Sequence, residues 1–188
     1  MKYQIKAIIF DLDGVLVETK DLHFDALNKA IEKYDSNFTI SYSSHLSTFD
    51  GLSTKEKLRI LVEKGLDENL VNHISDLKQI ITNDLLNKKI KRDESLIQLF
   101  EILKQKGFLI AVATNSVKKS LLQILSRLEL EEFIDFCISN EDVKYPKPHS
   151  EIYLKTFLHF GLNAKDCLII EDSKIGREAA YKSGAFVY

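Results

Sequence analysis

Tryptophan is absent from this 188-residue chain, methionine occurs once, proline twice and glycine seven times. So little proline and glycine excludes a proline-rich linker, a collagen-like repeat or a flexible tether, and predicts ordered elements from end to end. Cysteine is nearly as scarce: Cys137 and Cys167 lie in the apolar runs FIDFCIS and DCLIIED, which argues against a disulfide-stapled scaffold and predicts buried, reduced thiols. No apolar run is long enough to span a membrane, and the N-terminal stretch MKYQIKAIIFDLDG meets acid before a signal-peptide core can form. Charge of either sign is also lacking in excess. A net charge of -2 leaves no basic footprint for nucleic acid or an anionic membrane. The expectation is a cytoplasmic, unprocessed monomer with neither nucleic acid nor membrane as partner.

What is present is an ordinary globular composition, 45% hydrophobic and 29% charged, in a chain long enough to bury a core. Short apolar runs rich in β-branched residues fall at Ile5 to Phe10, Phe108 to Ala113, Phe133 to Ser139, Cys167 to Ile170 and Ala185 to Tyr188. Each reads as a strand buried on both faces. Between the later runs, helical spacing recurs at Leu96, Leu99, Phe100 and Leu103, at Leu121, Ile124, Leu125 and Leu128, and at Tyr153, Thr156, Phe157 and Phe160. Strand alternating with helix predicts an α/β fold with a doubly wound parallel sheet.

One interval breaks the alternation. From Val17 to Ile90 only helical patterns occur, such as Leu27, Ala30, Ile31 and Tyr34, or Leu58, Leu61 and Val62, with turns at Gly51 and Gly65 and a polar loop from Asn37 to Ser47. The expected organisation is an α/β core over 1–16 and 91–188 with a helical insertion over 17–90. The chain stops inside the apolar run AFVY, which would leave a short, uncovered last strand and suggests a truncated chain.

In an open parallel sheet, ligands bind at the carboxyl ends of the strands. Here those ends carry Asp11 and Asp13, then Thr114, Asn115 and Ser116, then Glu171, Asp172 and Ser173, with Lys147 between the third strand and the next helix. Two carboxylates one residue apart project the same way from an extended backbone, so one can attack while the other manages protons. Four acids together require a cation, and hard oxygen ligands point to Mg²⁺, which also binds substrate phosphate. A hydroxyl at Thr114 beside a helix N-terminus offers a phosphate cradle, and Lys147 would neutralise remaining charge. Taken singly, DLDG is an acidic turn, TNS an N-cap, KP a turn and EDS a helix start; it is their joint placement that points to chemistry. A calcium loop is excluded, because Gly14 stands fourth from Asp11 instead of sixth.

The set FDLDGVLVET, ATNS, PKPHSEIY and IIEDSKIGREAA resembles the four motifs of the haloacid dehalogenase superfamily, in the branch with a helical cap after the first strand. Within it, the chain is similar to the group holding β-phosphoglucomutases and small-metabolite phosphatases. The resemblance implies a Rossmann-like core and a Mg²⁺-dependent enzyme that hydrolyses a small phosphorylated metabolite through an aspartyl phosphate. It makes Asp11 the nucleophile and Asp13 the general acid and base. The side chain of Asp11, the backbone carbonyl of Asp13 and Asp172 would bind Mg²⁺, with Glu171 a ligand or a partner of one. Thr114 and Asn115 would hold the transferring phosphate, and Lys147 would bridge it to Asp11. Dehalogenases and phosphonatases of the superfamily lack the second aspartate, so Asp13 implies phosphate esters.

In the cap, His23 of KDLHFDAL resembles a hinge histidine of this group, and Thr19 falls where the group has Thr or Ser. The stretch FDGLSTKEKL resembles the cap loop that carries a phosphate-binding arginine in the mutases. Here Thr54 replaces that arginine, and Lys55 is the candidate substitute, as a point charge without the bidentate fork. That difference favours a monophosphate phosphatase over a hexose-phosphate mutase; a weakly active binding protein is a third reading.

Overall fold

The structure, a computed structural model, describes residues 4–188. Met1 to Tyr3 of the N-terminal stretch lie outside the described residues. In chain order the main elements are β1 (Ala7–Phe10), α1 (Lys20–Tyr34), α2 (Tyr42–Ser44), α3 (Thr54–Glu63), α4 (Val71–Lys89) and α5 (Glu94–Gln105). They continue with β2 (Leu109–Ala113), α6 (Lys118–Leu128), β3 (Phe136–Ile138), α7 (Glu151–Phe160), β4 (Cys167–Ile170), α8 (Lys174–Ser183) and β5 (Phe186–Val187). The chain divides into two compact units, one of Met1–Glu18 with Ile90–Tyr188 and one of Thr19–Lys89. Among the described residues no helix is long and apolar enough to cross a membrane.

The first unit is an α/β layer structure around an all-parallel five-stranded sheet of order β3-β2-β1-β4-β5. β1 is central and buried at all four residues, which is why its sequence is continuously apolar instead of alternating. Its residues nonetheless divide by face with period two. Ala7 and Ile9 join Ala111, Ala113, Cys167 and Ile169 under Ile152, Tyr153 and Phe157 of α7 and Ala179 and Ala180 of α8. Phe10 points the other way and stacks on Phe100 of α5, ring centroids 5.1 Å apart. Helices thus cover both faces, as a doubly wound sheet requires.

Several expected boundaries shift. The run from Phe133 to Ser139 is a strand only over Phe136–Ile138, because Glu131–Phe133 forms a 3₁₀ turn. The first and last strands are likewise shorter than their apolar runs. On α5 the buried residues are Ile97 and Phe100, whereas Leu99 is 43% exposed, so its inward stripe lies beside the one read from leucine spacing. Both cysteines are free; Cys167 is buried, its thiol pushed up to about 11 by burial, but Cys137 is only partly covered.

The second unit is helical and closes its own core with Leu27, Ala30 and Ile31 of α1, Ile40, Phe49, Leu58 and Leu61 of α3, Leu66, and Ile74 of α4. The polar tract expected as a loop is largely structured. Asn28 donates to Ile40 O and accepts from Ile40 N, both at 2.8 Å, and Ser41 caps α2 through Ser44 N. A π-helical turn, His45–Phe49, follows directly.

Candidate active site

The parallel ladder carries on past the strands: Asp11 N donates to Ile170 O and Thr114 N to Ile138 O. This aligns the ends of β1, β2 and β4, so their polar residues meet at one edge. Lys147 ties them together. Its ammonium is buried and donates to Asp11 Oδ1 at 2.6 Å, Glu171 Oε2 at 2.7 Å and Ala113 O at 2.8 Å, using all three of its hydrogens. It also lies 5.1 Å from the Tyr153 ring centroid. Its backbone is fixed as well: Asn115 Nδ2 donates to Lys147 O, and Lys147 N donates to Asn115 Oδ1.

Glu171 is saturated by hydrogen bonds. Oε2 accepts from Lys147 and from the Tyr153 hydroxyl at 2.8 Å, while Oε1 accepts from Ser173 N and Oγ. A Cβ at Gly176 would lie 2.0 Å from the Glu171 carboxyl carbon, so glycine there makes room for the carboxylate. Asp13 Oδ2 accepts from Ser116 Oγ at 2.7 Å and from Thr114 Oγ1 at 3.3 Å, and Thr114 Oγ1 in turn accepts from Ser116 N.

Electrostatics follow from crowding acids around one lysine. Burial pushes the Asp11 carboxyl up to about 8, opposed by Lys147 and reinforced by Glu171 and Asp13. Burial would raise Glu171 too, but Lys147 and the hydrogen bonds from Lys147, Tyr153 and Ser173 hold it below the usual glutamate value. Burial disfavours the Lys147 ammonium, yet Asp11, Tyr153 and Glu171 outweigh it and keep the lysine charged. Burial also raises Tyr153, so its hydroxyl stays a donor.

The donor set fits a hard divalent cation. Asp11, Glu171 and Asp172 each offer a carboxylate oxygen, and these atoms lie within 4.8 Å of one another. Gly14, at φ +97°, brings the chain so close that a Cβ would sit 2.3 Å from Asp172 Oδ2. A side chain there would fill the cradle. Lys147 alone shares one charge between two carboxylates, and burial has already driven Asp11 toward neutrality; a second cation would restore its ionised form.

A sequence profile of haloacid dehalogenase-like hydrolases matches residues 8–188. The chain belongs to this family. It is 32% identical over 184 residues to a phosphorylated carbohydrates phosphatase of Thermotoga maritima, covering 96% of this chain and 82% of that protein. It is 28% identical to a β-phosphoglucomutase of Bacillus subtilis, covering 97% and 81%. A crystal structure of β-phosphoglucomutase from Clostridium difficile superposes with TM-score 0.87 at 26% identity, covering 98% and 83%. In this haloacid dehalogenase-like hydrolase the helical unit follows the first strand of the parallel sheet in the sequence.

Of the residues singled out in the sequence, Asp11, Asp13, Thr114, Asn115, Lys147, Glu171 and Asp172 stand at the carboxyl edge of the sheet in the α/β unit. The Asn115 side chain faces the Lys147 backbone. Thr19, His23 and Lys55 belong to the helical unit: Thr19 is buried at the start of α1, His23 Nδ1 lies 3.4 Å from Lys78 Nζ, and Lys55 is exposed. Two participants lacked an assigned role. Ser116 was read only as part of a polar cluster, and Tyr153 only as part of an apolar stripe. A buried tyrosine needs a hydroxyl partner, and that requirement was the available signal for Tyr153.

Proposed function

We propose that this protein is a Mg²⁺-dependent phosphatase that hydrolyses a small phosphorylated metabolite, a sugar phosphate among the candidates, through a phosphoaspartate on Asp11. The observation that carries the reading is the buried contact of Asp11 Oδ1 with Lys147, beside an Asp13 carboxylate that accepts from Ser116 Oγ. Asp11 attacks the phosphorus, and the phosphorus–oxygen bond to the leaving group breaks. Asp13 gives its proton to the leaving oxygen, then takes one from the water that cleaves the phosphoaspartate. Ser116 and Thr114 hold Asp13 in position through Oδ2. Lys147 orients Asp11 and offsets phosphate charge, and Glu171, with Tyr153 and Ser173, keeps Lys147 in place.

Mg²⁺ held by Asp11, Asp172 and the Asp13 carbonyl would neutralise phosphate charge as it develops. Glu171 stands in the same acid cluster and also fixes Lys147 through Oε2. The phosphatase named among the relatives supports hydrolysis. Similarity to β-phosphoglucomutases supports a mutase as second reading, against which stands Thr54 in place of the mutase arginine.

The test is release of phosphate from an aryl phosphate with and without Mg²⁺, by wild type and Asp11→Asn. Turnover that requires both the metal and Asp11 is expected. Undiminished activity in Asp11→Asn rejects the reading, and conversion of one hexose phosphate into its isomer with a bisphosphate primer would favour the mutase.

A further inference from the structure

The three acids that could hold a cation are not held alike. Asp11 and Glu171 are buried and each is fixed by Lys147, whereas Asp172 is exposed on the short loop between β4 and α8. Its neighbours in the chain are pinned. Glu171 N donates to Tyr188 O at 3.1 Å, and Ser173 caps α8 by accepting from Gly176 N at 3.1 Å. Between these anchors, the direction of the Asp172 side chain depends on the peptide group that joins it to Glu171. That group is planar, so holding its carbonyl oxygen holds the plane from which Asp172 departs.

Arg177 holds it: Nη1 donates to Glu171 O, six residues upstream, at 3.0 Å. Arg177 stands one turn into α8, its own N–H donating to Ser173 O at 2.9 Å. Side chains lean toward the N-terminus of a helix, so a long one at this position reaches back over the loop. The helix itself gives no reason for an arginine there. α8 opens with Lys174, has no acid in its first turn and meets Arg177 next, the reverse of what the helix dipole favours. Charge gives no reason either. Arg177 and Asp172 line one groove, and a guanidinium beside a ligand opposes a divalent cation held there.

We infer that Arg177 is a positioning residue for the metal ion: it orients Asp172 as a ligand by fixing the Glu171 carbonyl, and it does so against its own charge. This deepens the phosphatase reading and rests on Asp172 as a ligand in it. The two roles of an arginine here predict opposite signs. Removing a mere charge tightens divalent-ion binding, whereas removing the partner that orients a metal ligand weakens it about tenfold to a hundredfold.

The test is titration of the full chain with Mn²⁺ alone, followed by the loss of the free-ion electron paramagnetic resonance signal. Arg177→Met should weaken binding about tenfold or more, and Arg177→Lys, which keeps a donor, should recover part of that loss. Lys174→Met removes a cation from the same groove and should not weaken binding. In an Asp172→Asn background, Arg177→Met should have little further effect, because the ligand it orients is gone. Unchanged or tighter binding in Arg177→Met overturns the inference, as does equal weakening in Lys174→Met or an undiminished loss in the Asp172→Asn background. Should Arg177→Met fail to unfold cooperatively in urea, Arg177→Gln takes its place in each comparison. The metal reading fails separately: if wild type binds no Mn²⁺, or Asp172→Asn binds it as tightly as wild type, Asp172 is no ligand and the inference falls with it.

Discussion

Lys147 is the residue whose removal tests the site most severely. Its ammonium is enclosed by Asp11, Glu171 and the Ala113 carbonyl, so Lys147→Met would strand two carboxylates in a buried environment. Breaking a buried ion pair from one side costs about 3–5 kcal/mol. Urea unfolding should show a loss of that order together with loss of turnover, and a variant as stable as wild type would contradict the pairing. Tyr153→Phe removes one of four hydrogen bonds to Glu171 and should cost about 1 kcal/mol in the same assay, with activity reduced but present. At this scale the sequence was legible wherever chemistry-bearing residues clustered at strand ends, as with Asp11, Asp13 and Lys147. It was less legible where a side chain serves two purposes. Tyr153 fills the core and also donates to Glu171, and only its packing role shows as periodicity. Lysine reads as solvent-facing by residue type, yet the phase of α3 turns Lys57 inward beside Leu58 and Leu61.

Among the elements, β1 and the turn after it were readable because an apolar run ending in DLDG has few other uses in a parallel sheet. The spacing could not show why glycine is needed. Gly14 combines a left-handed φ with a Cβ position inside the Asp172 carboxylate. Gly14→Ala should therefore disable the acid cluster, read as a higher Mg²⁺ concentration for half-maximal turnover, more than it destabilises the fold. Gly176→Ala drives a Cβ into Glu171, which sits against Lys147 and cannot retreat; overpacking of this kind costs about 1–3 kcal/mol, measurable by denaturation. On α5 the expected stripe held both Leu99 and Phe100; Phe100 is buried against Phe10 with Ile97 beside it, whereas Leu99 is exposed. The tract from Asn37 to Ser47 reads as a loop by composition. Long-range contacts order it, Asn28 with Ile40 and the Tyr42 hydroxyl with Asp21, and no local pattern announces them.

The whole molecule should lose stability in acid through carboxylates that the fold holds ionised. Backbone N–H groups of Lys144 and Tyr145 bring Glu151 down to about 2 from 4.5, with Lys155 adding to the effect. Its folded pKa is depressed, so its contribution is complete above the unfolded value and drains away as pH falls from about 4.5 toward 2. Asp142 acts in the same sense: burial opposes its charge, but Ser139 and Lys118 outweigh it. Glu151→Gln should flatten the acid limb of a stability-against-pH curve between those values, and an unchanged limb would contradict the assignment. The alternation of strand and helix made the α/β unit readable as a whole, because each strand is long enough to mark itself and short enough to be bounded. The central claim is that Asp11 carries the phosphoryl group, and the most direct measurement is acid-quench mass spectrometry of the enzyme during turnover of an aryl phosphate with Mg²⁺. One added phosphoryl group on the peptide holding Asp11, absent in Asp11→Asn, is the predicted result; phosphate release at the wild-type rate by Asp11→Asn, or a phosphoryl group on a different residue, would contradict it.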